Sequence, residues 1–374
     1  MEIPLSKPDI TDLEKSAVQE VLNTSSLSLG KKYIEFQDAI ADFTGVRYAV
    51  AVNSGTSALH LIVRSLGIGK GDEVITTPFS FVASANCILY EGATPVFVDI
   101  NPVTFNIDIS KIEEKITKKT KAILAVDVFS HPADWDALKK IAKKHKLFLI
   151  EDSAEALGST YKGRQCGSFG DAAVFAFYPN KQITTGEGGA VLTNNKKIAD
   201  LCQSMANQGR KVEGGKWLEH VRLGYNYRLD EMSAALGIAQ MERIKKILQK
   251  RKQVANWYNK KLKNIKELEI PHVDPGNKLS WFVYVVKLSE KFAGKKRDAI
   301  IKEMAKQGIQ CSNYFHPIHL QPFYKKGFSY TMGDFPVTEN VGARTLALPF
   351  FNNLKEEEIN TVVAALKEII HELI

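Results

Sequence analysis

The chain has 374 residues, 44% of them hydrophobic and 25% charged, an ordinary balance for a soluble globular protein and long enough for two domains. No apolar run reaches the length that spans a bilayer, the start MEIPLSKPDI has no apolar signal core, so a cytoplasmic address is the default, and Cys87, Cys166, Cys202 and Cys311 are too dispersed for a zinc cluster or a disulfide framework. The formal charge of +8 gathers in lysine clusters such as Lys118, Lys119 and Lys121, which read as a solvated surface. No nucleic-acid-binding fingerprint accompanies them, so nucleic acid is set aside as a partner, while a positive field suits anionic small substrates.

Helical patterns are predicted over Asp12 to Leu22 and Tyr33 to Phe43, either side of a turn at Gly30. A short strand, Tyr48 to Val52, runs into Asn53-Ser54-Gly55-Thr56-Ser57 and then a helical run with Ala58, Leu59, Leu61, Ile62 and Leu66 apolar. Strand, small polar loop and helix start can bind phosphate, because free amides at the helix N-terminus point outward with the positive end of the dipole. No Gly-Lys-Ser/Thr follows, so this is no nucleotide P-loop, and an ordinary helix cap explains the loop as well. Strands at Glu73 to Thr77, Pro95 to Val98, Ala122 to Asp127 and Leu147 to Ile150 alternate with helices at Val82 to Tyr90 and Trp135 to His145. Continuous apolar strands separated by helices predict an α/β fold, a mostly parallel sheet covered on both faces. Ligands in such sheets sit at the carboxyl ends of strands, where Asn53, Phe81, Asp127 and Asp152 fall.

Two further apolar runs, Ala172 to Phe177 and Gly189 to Thr193, enclose Lys181, two threonines and Gly186-Glu187-Gly188-Gly189. A lysine between two buried strands rests on a rigid support, and burial disfavours its ammonium form, which leaves an amine that is a nucleophile toward aldehydes. The plainer reading is a solvated lysine in a connecting loop. Beyond it, Ile198 to Gln208 is helical, and a glycine-rich loop, Gly209 to Lys216, leads to Gly224-Tyr225-Asn226-Tyr227-Arg228. One long helix is predicted from about Asp230 to Leu262. Its small early residues, Ala234, Ala235, Gly237 and Ala239, suit close packing or an interface. A boundary inside it divides a large domain, 1–245, from a smaller α+β domain, 246–374. The latter carries a strand at Trp281 to Leu288, helices at Lys296 to Gln307 and Glu356 to Leu373, and the polar-aromatic loop Asn313-Tyr314-Phe315-His316-Pro317-Ile318-His319.

A lysine, a carboxylate at a strand end, a phosphate cradle and an aromatic after another strand are the four things pyridoxal phosphate (PLP) needs. Its aldehyde takes the lysine, its ring nitrogen needs a carboxylate, its phosphate needs amides, and its flat ring needs a face. The chain resembles the sugar aminotransferases of the DegT/DnrJ/EryC1/StrS family over nearly its whole length. The motifs run in order from IPLSKP through NSGTSALHL, GATPVFVDI, EDSAEALGS, NKQITTGEGG and GYNYRLDEMSAALGIAQ to YFHPIHLQPFY. The resemblance implies PLP fold type I with a seven-stranded sheet. It makes Lys181 the Schiff-base lysine and proton shuttle, pairs Asp152 with the pyridine nitrogen, gives the phosphate to Ser54, Gly55 and Thr56, and stacks Phe81 on the ring. It implies a homodimer with shared active sites, in which Asn226 reaches the phosphate of the neighbouring subunit.

There are departures from the family pattern. Many members carry serine where Ala176 stands and histidine where Asp127 stands. The residue three after the aspartate is Glu155, as in relatives that resemble perosamine synthases, which puts it near the substrate; a helix-start carboxylate facing a dipole is the other reading. Asn313, His316 and His319 are assigned to the sugar nucleotide by the resemblance. The His316–His319 spacing could suit a metal, but no third ligand lies near in sequence, so no metal is assigned. The reaction implied is transfer of an amino group from L-glutamate to a nucleotide-linked keto-sugar, at carbon four, with carbon three open, for amino-sugar and surface polysaccharide biosynthesis. The rivals are a PLP-dependent deoxysugar dehydratase, against which Lys181 speaks, an amino-acid aminotransferase, and a regulatory protein that binds sugar nucleotides without catalysis.

Overall fold

The alternation of apolar strands and helices resolves, in a computed structural model that describes residues 2–212, 216 and 219–373, into one seven-stranded sheet. Its spatial order is Tyr48–Val52, Gly189–Thr193, Ala172–Ala176, Phe148–Asp152, Thr120–Val126, Glu73–Thr76 and Thr94–Phe97. Gly189–Thr193 runs antiparallel to both neighbours, and every other pairing is parallel. The fold is therefore the mostly parallel α/β sheet expected. Its strands are apolar on both faces because helices cover both. Gly55–Ser65, Ala83–Tyr90 and Lys196–Ala206 build one core layer. Lys31–Thr44 and Glu231–Glu242 cover part of the opposite face, and Trp135–His145 covers the rest.

A second sheet, antiparallel and three-stranded, joins Leu268–Glu269, Tyr284–Leu288 and Thr345–Leu348. It packs with the helices Ile244–Leu262, Lys295–Lys306 and Glu356–Glu372 around its own core, which Ile3 enters from the far end of the sequence. The predicted strand from Trp281 is shorter, because Trp281 has φ +58 and starts a turn rather than a strand. The elements not foreseen include the strands Leu268–Glu269 and Thr345–Leu348, the short hairpin Thr160–Tyr161 with Arg164–Gln165, and the helices Pro322–Phe328 and Pro336–Arg344, both helices opened by a proline at the first turn.

The long helix expected over Asp230 to Leu262 is two helices. Arg243, at φ −95 and ψ 1, separates Glu231–Glu242 from Ile244–Leu262. Its guanidinium reaches Asp9 at 3.2 Å and also pairs with Glu14. Part of the predicted glycine-rich loop, at 213–215, lies outside the described residues. Among the described residues, no helix is long and apolar enough to cross a membrane.

Candidate functional site

The carboxyl ends of the parallel strands open into a cleft of about 500 Å³ lined by Ser54, Gly55, Thr56, Phe81, Asp152, Glu155 and Lys181. Seven residues singled out from dispersed positions in the sequence thus come together. The geometry follows from the topology: each parallel strand delivers the residue just beyond its end to the same edge of the sheet.

The cradle is built at the first turn of Gly55–Ser65. Ser54 Oγ accepts the Ser57 amide at 3.0 Å, and Ser57 Oγ donates to Asn53 Oδ1 at 2.7 Å. The Gly55 and Thr56 amides belong to the turn that has no acceptor within the helix. Close approach makes the space. A Cβ on Gly189 would lie 2.6 Å from the Gly55 amide nitrogen, and one on Gly55 would lie 2.7 Å from the Ala176 methyl. Glycine at both positions leaves room for an anion against backbone donors.

Asp152, the last residue of its strand, is buried and faces the cleft. Its Oδ2 accepts from Ser84 Oγ at 2.7 Å and its Oδ1 from the Ala154 amide at 3.2 Å. Burial pushes its pKa up, and those hydrogen bonds and the charge of Lys181 pull it back. Ser84 in turn touches Ser80 Oγ at 2.9 Å, so a two-serine chain fixes the carboxylate's rotamer and leaves a free edge toward the cleft.

Lys181 follows the strand Ala172–Ala176 by a short turn, with a side chain only 13% exposed. Burial lowers its ammonium below the usual value, against the pull of Glu155 and Asp152. The nearest carboxylate oxygen is Glu155 Oε1 at 3.8 Å. Glu155 is itself buried, which raises its pKa, and its Oε2 accepts the Phe129 amide at 2.9 Å. No helix begins at Glu155, so the reading of it as a helix-start carboxylate is set aside: the segment is a turn that leaves the strand. Phe81 is 61% exposed at the rim, and among the described residues no other ring packs against it.

Other expected residues stand elsewhere. Asp127 is buried beneath the sheet edge. It accepts from the Ala133 amide at 2.8 Å, Trp135 Nε1 at 3.1 Å and Ser153 Oγ at 2.5 Å. Burial beside Glu151 pushes its pKa well up. Glu151 and Cys166 lie close to it, but Glu151 is taken up by the amides of Gly167, Phe169 and Gly170, so structural donors use the oxygens that a metal would need. His319 does not face the cleft. It is fully buried, and its Nε2 lies 3.0 Å from Glu339 Oε1 amid Phe335 and Tyr330. His316 is exposed and Asn313 half-buried. Their loop lends Tyr314 and Phe315 to the cleft instead. The Asn226 side chain is exposed and outside its own chain's cleft, on a segment fixed by the stacked rings of Tyr225 and Tyr227, 4.8 Å apart.

Residues that sequence reasoning missed complete the walls. Ser84 had a signal, since Ser80 and Ser84 are four apart at a helix start beside Phe81. Asn180 had one too, as the residue before Lys181 that opens the NKQITTGEGG motif; Phe282 had none. Asn180 Oδ1 is buried in the wall with no hydrogen-bond partner among the described residues, an acceptor that a polar ligand can satisfy. Taken together, the cradle that a Cβ would fill, the buried carboxylate, the sheltered lysine and the bare aromatic face fit PLP at its four points of attachment.

Comparisons with known proteins agree with the geometry. The sequence profile of the DegT/DnrJ/EryC1/StrS aminotransferase family matches residues 8–367. GDP-perosamine synthase of Caulobacter vibrioides is 40% identical over 370 residues, covering 98% of each chain. Among solved structures, Helicobacter pylori PseC, an aminotransferase of pseudoaminic acid biosynthesis, superposes with a TM-score of 0.93 at 32% identity over all of both chains. Spr1654 of Streptococcus pneumoniae, solved in a PLP form, gives 0.95 at 29% identity, also over all of both chains. A profile match over almost the entire length, with relatives at this level, shows that the chain belongs to the DegT/DnrJ/EryC1/StrS aminotransferase family.

Proposed function

We propose that this PLP-dependent sugar aminotransferase moves an amino group from L-glutamate to the keto carbon of a nucleoside-diphosphate 6-deoxyhexose, at carbon four. The observation that carries the reading is the meeting of Lys181 and Asp152 across one cleft with the amides of Gly55 and Thr56 at its end. When bound, the cofactor supplies a carbonyl that accepts the amino group and a ring that withdraws electrons. Ser54, Gly55 and Thr56 hold its phosphate at the helix N-terminus. Phe81 covers one face of its ring. Asp152, fixed by Ser84, keeps the proton on its ring nitrogen. Lys181 Nζ would be the amine that holds the cofactor's carbonyl carbon, and the same nitrogen would accept and return the proton beside it.

The choice of substrate rests on the cleft and on the relatives. A diphosphate-linked sugar is large and anionic, which suits an open cleft on a basic protein, and the unpartnered Asn180 Oδ1 suits a hydroxylated ligand. The name of the Caulobacter relative favours GDP as the nucleotide. The exposed position of Asn226 supports a homodimer in which it completes the partner's phosphate site. Leu27, Leu29, Ile34 and Leu223, all large, apolar and exposed, supply a surface for it. We divide the chain at residue 245, although Ile247 still packs in the first sheet's core and the second core begins on this helix at Val254, and place the protein in the cytoplasm, in keeping with four unpaired cysteines.

The test is spectroscopic. L-Glutamate alone converts the visible band of the holoenzyme, and a GDP-linked 4-keto-6-deoxyhexose restores it, in a panel that includes glutamine and other nucleotides. If a small keto acid restores the band and no keto-sugar nucleotide does, the protein is an amino-acid aminotransferase.

A further inference from the structure

Lys181 Nζ lies 3.9 Å from the centroid of the Phe282 ring and 3.8 Å from Glu155 Oε1. A cation here has an aromatic face on one side and a carboxylate on the other. Both groups are fixed. Glu155 is held by the Phe129 amide, and Phe129 and Ser130 take φ +52 and +73, an uncommon pair of left-handed residues that aims that amide at the carboxylate.

Phe282 arrives from the distant part of the chain and is tied down just as closely. Its amide donates to Ser130 Oγ at 2.7 Å. Arg251, buried in the helix Ile244–Leu262, donates from Nε to the Trp281 carbonyl at 2.6 Å and from Nη2 to the Phe282 carbonyl at 2.7 Å. Gln182, next to the lysine, donates from Nε2 to the Glu155 carbonyl at 2.6 Å, to Ser280 Oγ at 2.8 Å and to Ser130 Oγ at 3.2 Å. One network therefore spans both sides of Nζ.

We infer that Glu155 and the face of Phe282 form a holding site for the free ammonium of Lys181, occupied whenever the lysine is not bonded to the cofactor, with Phe282 kept in place by Arg251 and Ser130. The inference rests on the reading of Lys181 as the cofactor's lysine. When not bonded to the cofactor, the lysine would stand free in the same cleft that the substrate enters. Held between Glu155 and Phe282, it stays charged, aligned and out of the substrate's way until its proton is needed. Glu155 and Asp152 favour the ammonium, burial and the charge of Arg251 oppose it, and the hydroxyls of Tyr178 and Tyr314 share the cleft. Against this background the ring of Phe282 adds an ammonium-favouring contact that an aliphatic side chain does not.

The test uses cofactor-free protein, so that it reads the lysine and not turnover. Acylation of Lys181 by acetic anhydride is followed against pH, by mass spectrometry of its peptide, in wild type, Phe282→Leu and Phe282→Trp. Phe282→Leu lowers the midpoint by about half a unit to one unit, so that below the midpoint the lysine reacts roughly three- to tenfold faster. Phe282→Trp, with the stronger aromatic face, raises it. A change in access alone alters the plateau rate and leaves the midpoint in place. An unchanged midpoint in folded Phe282→Leu overturns the inference. If that variant does not fold, Phe282→Trp decides, and a midpoint at or below that of wild type overturns it. Borohydride treatment of the wild-type holoenzyme separates the parent reading: cofactor fixed on a peptide without Lys181 removes that reading whatever the midpoints show.

Discussion

Lys181 and Asp152 do different work, and their substitutions are expected to fail differently. Lys181→Ala removes the group proposed to hold the cofactor and move the proton. Turnover disappears, while PLP is still retained by the cradle, which dialysis followed by cofactor assay measures. Asp152→Asn keeps the hydrogen bond from Ser84 but loses the charge proposed to hold the ring nitrogen protonated. Turnover then falls about a hundredfold or more with a modest loss of PLP affinity, and near-normal turnover would place the residue elsewhere. Gly189→Ala tests the cradle. The new methyl meets the backbone of Ser54 and Gly55 at 2.6 Å, so PLP retention drops although no polar contact has been removed. These residues were legible in the sequence because their roles depend on type and on position at a strand end. Glu155 was legible only in part. Its type was plain, but its partner amide, at Phe129, comes from a neighbouring strand's loop.

At the scale of elements, the break at Arg243 is the informative departure. Nothing in the periodicity from Asp230 to Leu262 marks it, since helix propensity continues unbroken through Met241, Glu242 and Arg243. The cause is distant: Arg243 turns toward Asp9 and Glu14, and Lys250 reaches Asp9 Oδ2 at 2.8 Å. Asn352 and Asn353 also donate to Asp9, each at 3.2 Å. Burial alone would raise the pKa of Asp9, but these donors outweigh it and hold the group at about 2. A carboxylate depressed in the folded state lends stability above its ordinary pKa and loses it as pH falls through the folded value. Wild type is therefore expected to exceed Asp9→Asn in denaturant midpoint at neutral pH, and the gap should close between about pH 4 and about pH 2. A gap that stays constant over that window would mean that the Asp9 charge contributes nothing. A parallel device sits at Glu231, whose carboxylate takes the amides of Gly30, Lys32 and Tyr33, an N-terminal anion for the helix Lys31–Thr44 supplied from far along the chain.

At the scale of the whole molecule, the proposed homodimer is tested through Asn226, which is exposed and does not line its own chain's cleft. Lys181→Ala and Asn226→Ala, each impaired alone, are expected to regain part of the activity when mixed and allowed to exchange, because one hybrid site then carries both wild-type residues. Verified heterodimers without any recovered activity would show that Asn226 acts within its own chain or not at all. The network around Arg251 belongs to this scale too, since it binds the turn at Trp281 and Phe282, together with Asn352, to the cleft of the first sheet. Removing its donors in Arg251→Met strands two buried carbonyls and the Asn352 side chain, with an expected loss of about 3 kcal/mol in unfolding free energy.

The alternation of apolar strands and helices, the residues at strand ends and the ordered motifs from NSGTSALHL to GYNYR determined the sheet, the edge on which the cleft lies and its chemistry. All of these follow from local periodicity and from residue type, which a sequence states directly. Tertiary structure alone decided that Phe282 covers Lys181, that His319 turns into an aromatic cluster with Glu339, and that Arg243 breaks a helix. Each of those outcomes depends on a partner outside the segment, from twenty residues away for His319 to more than two hundred for Arg243, whose approach is set by how layers pack and not by the pattern of any single segment.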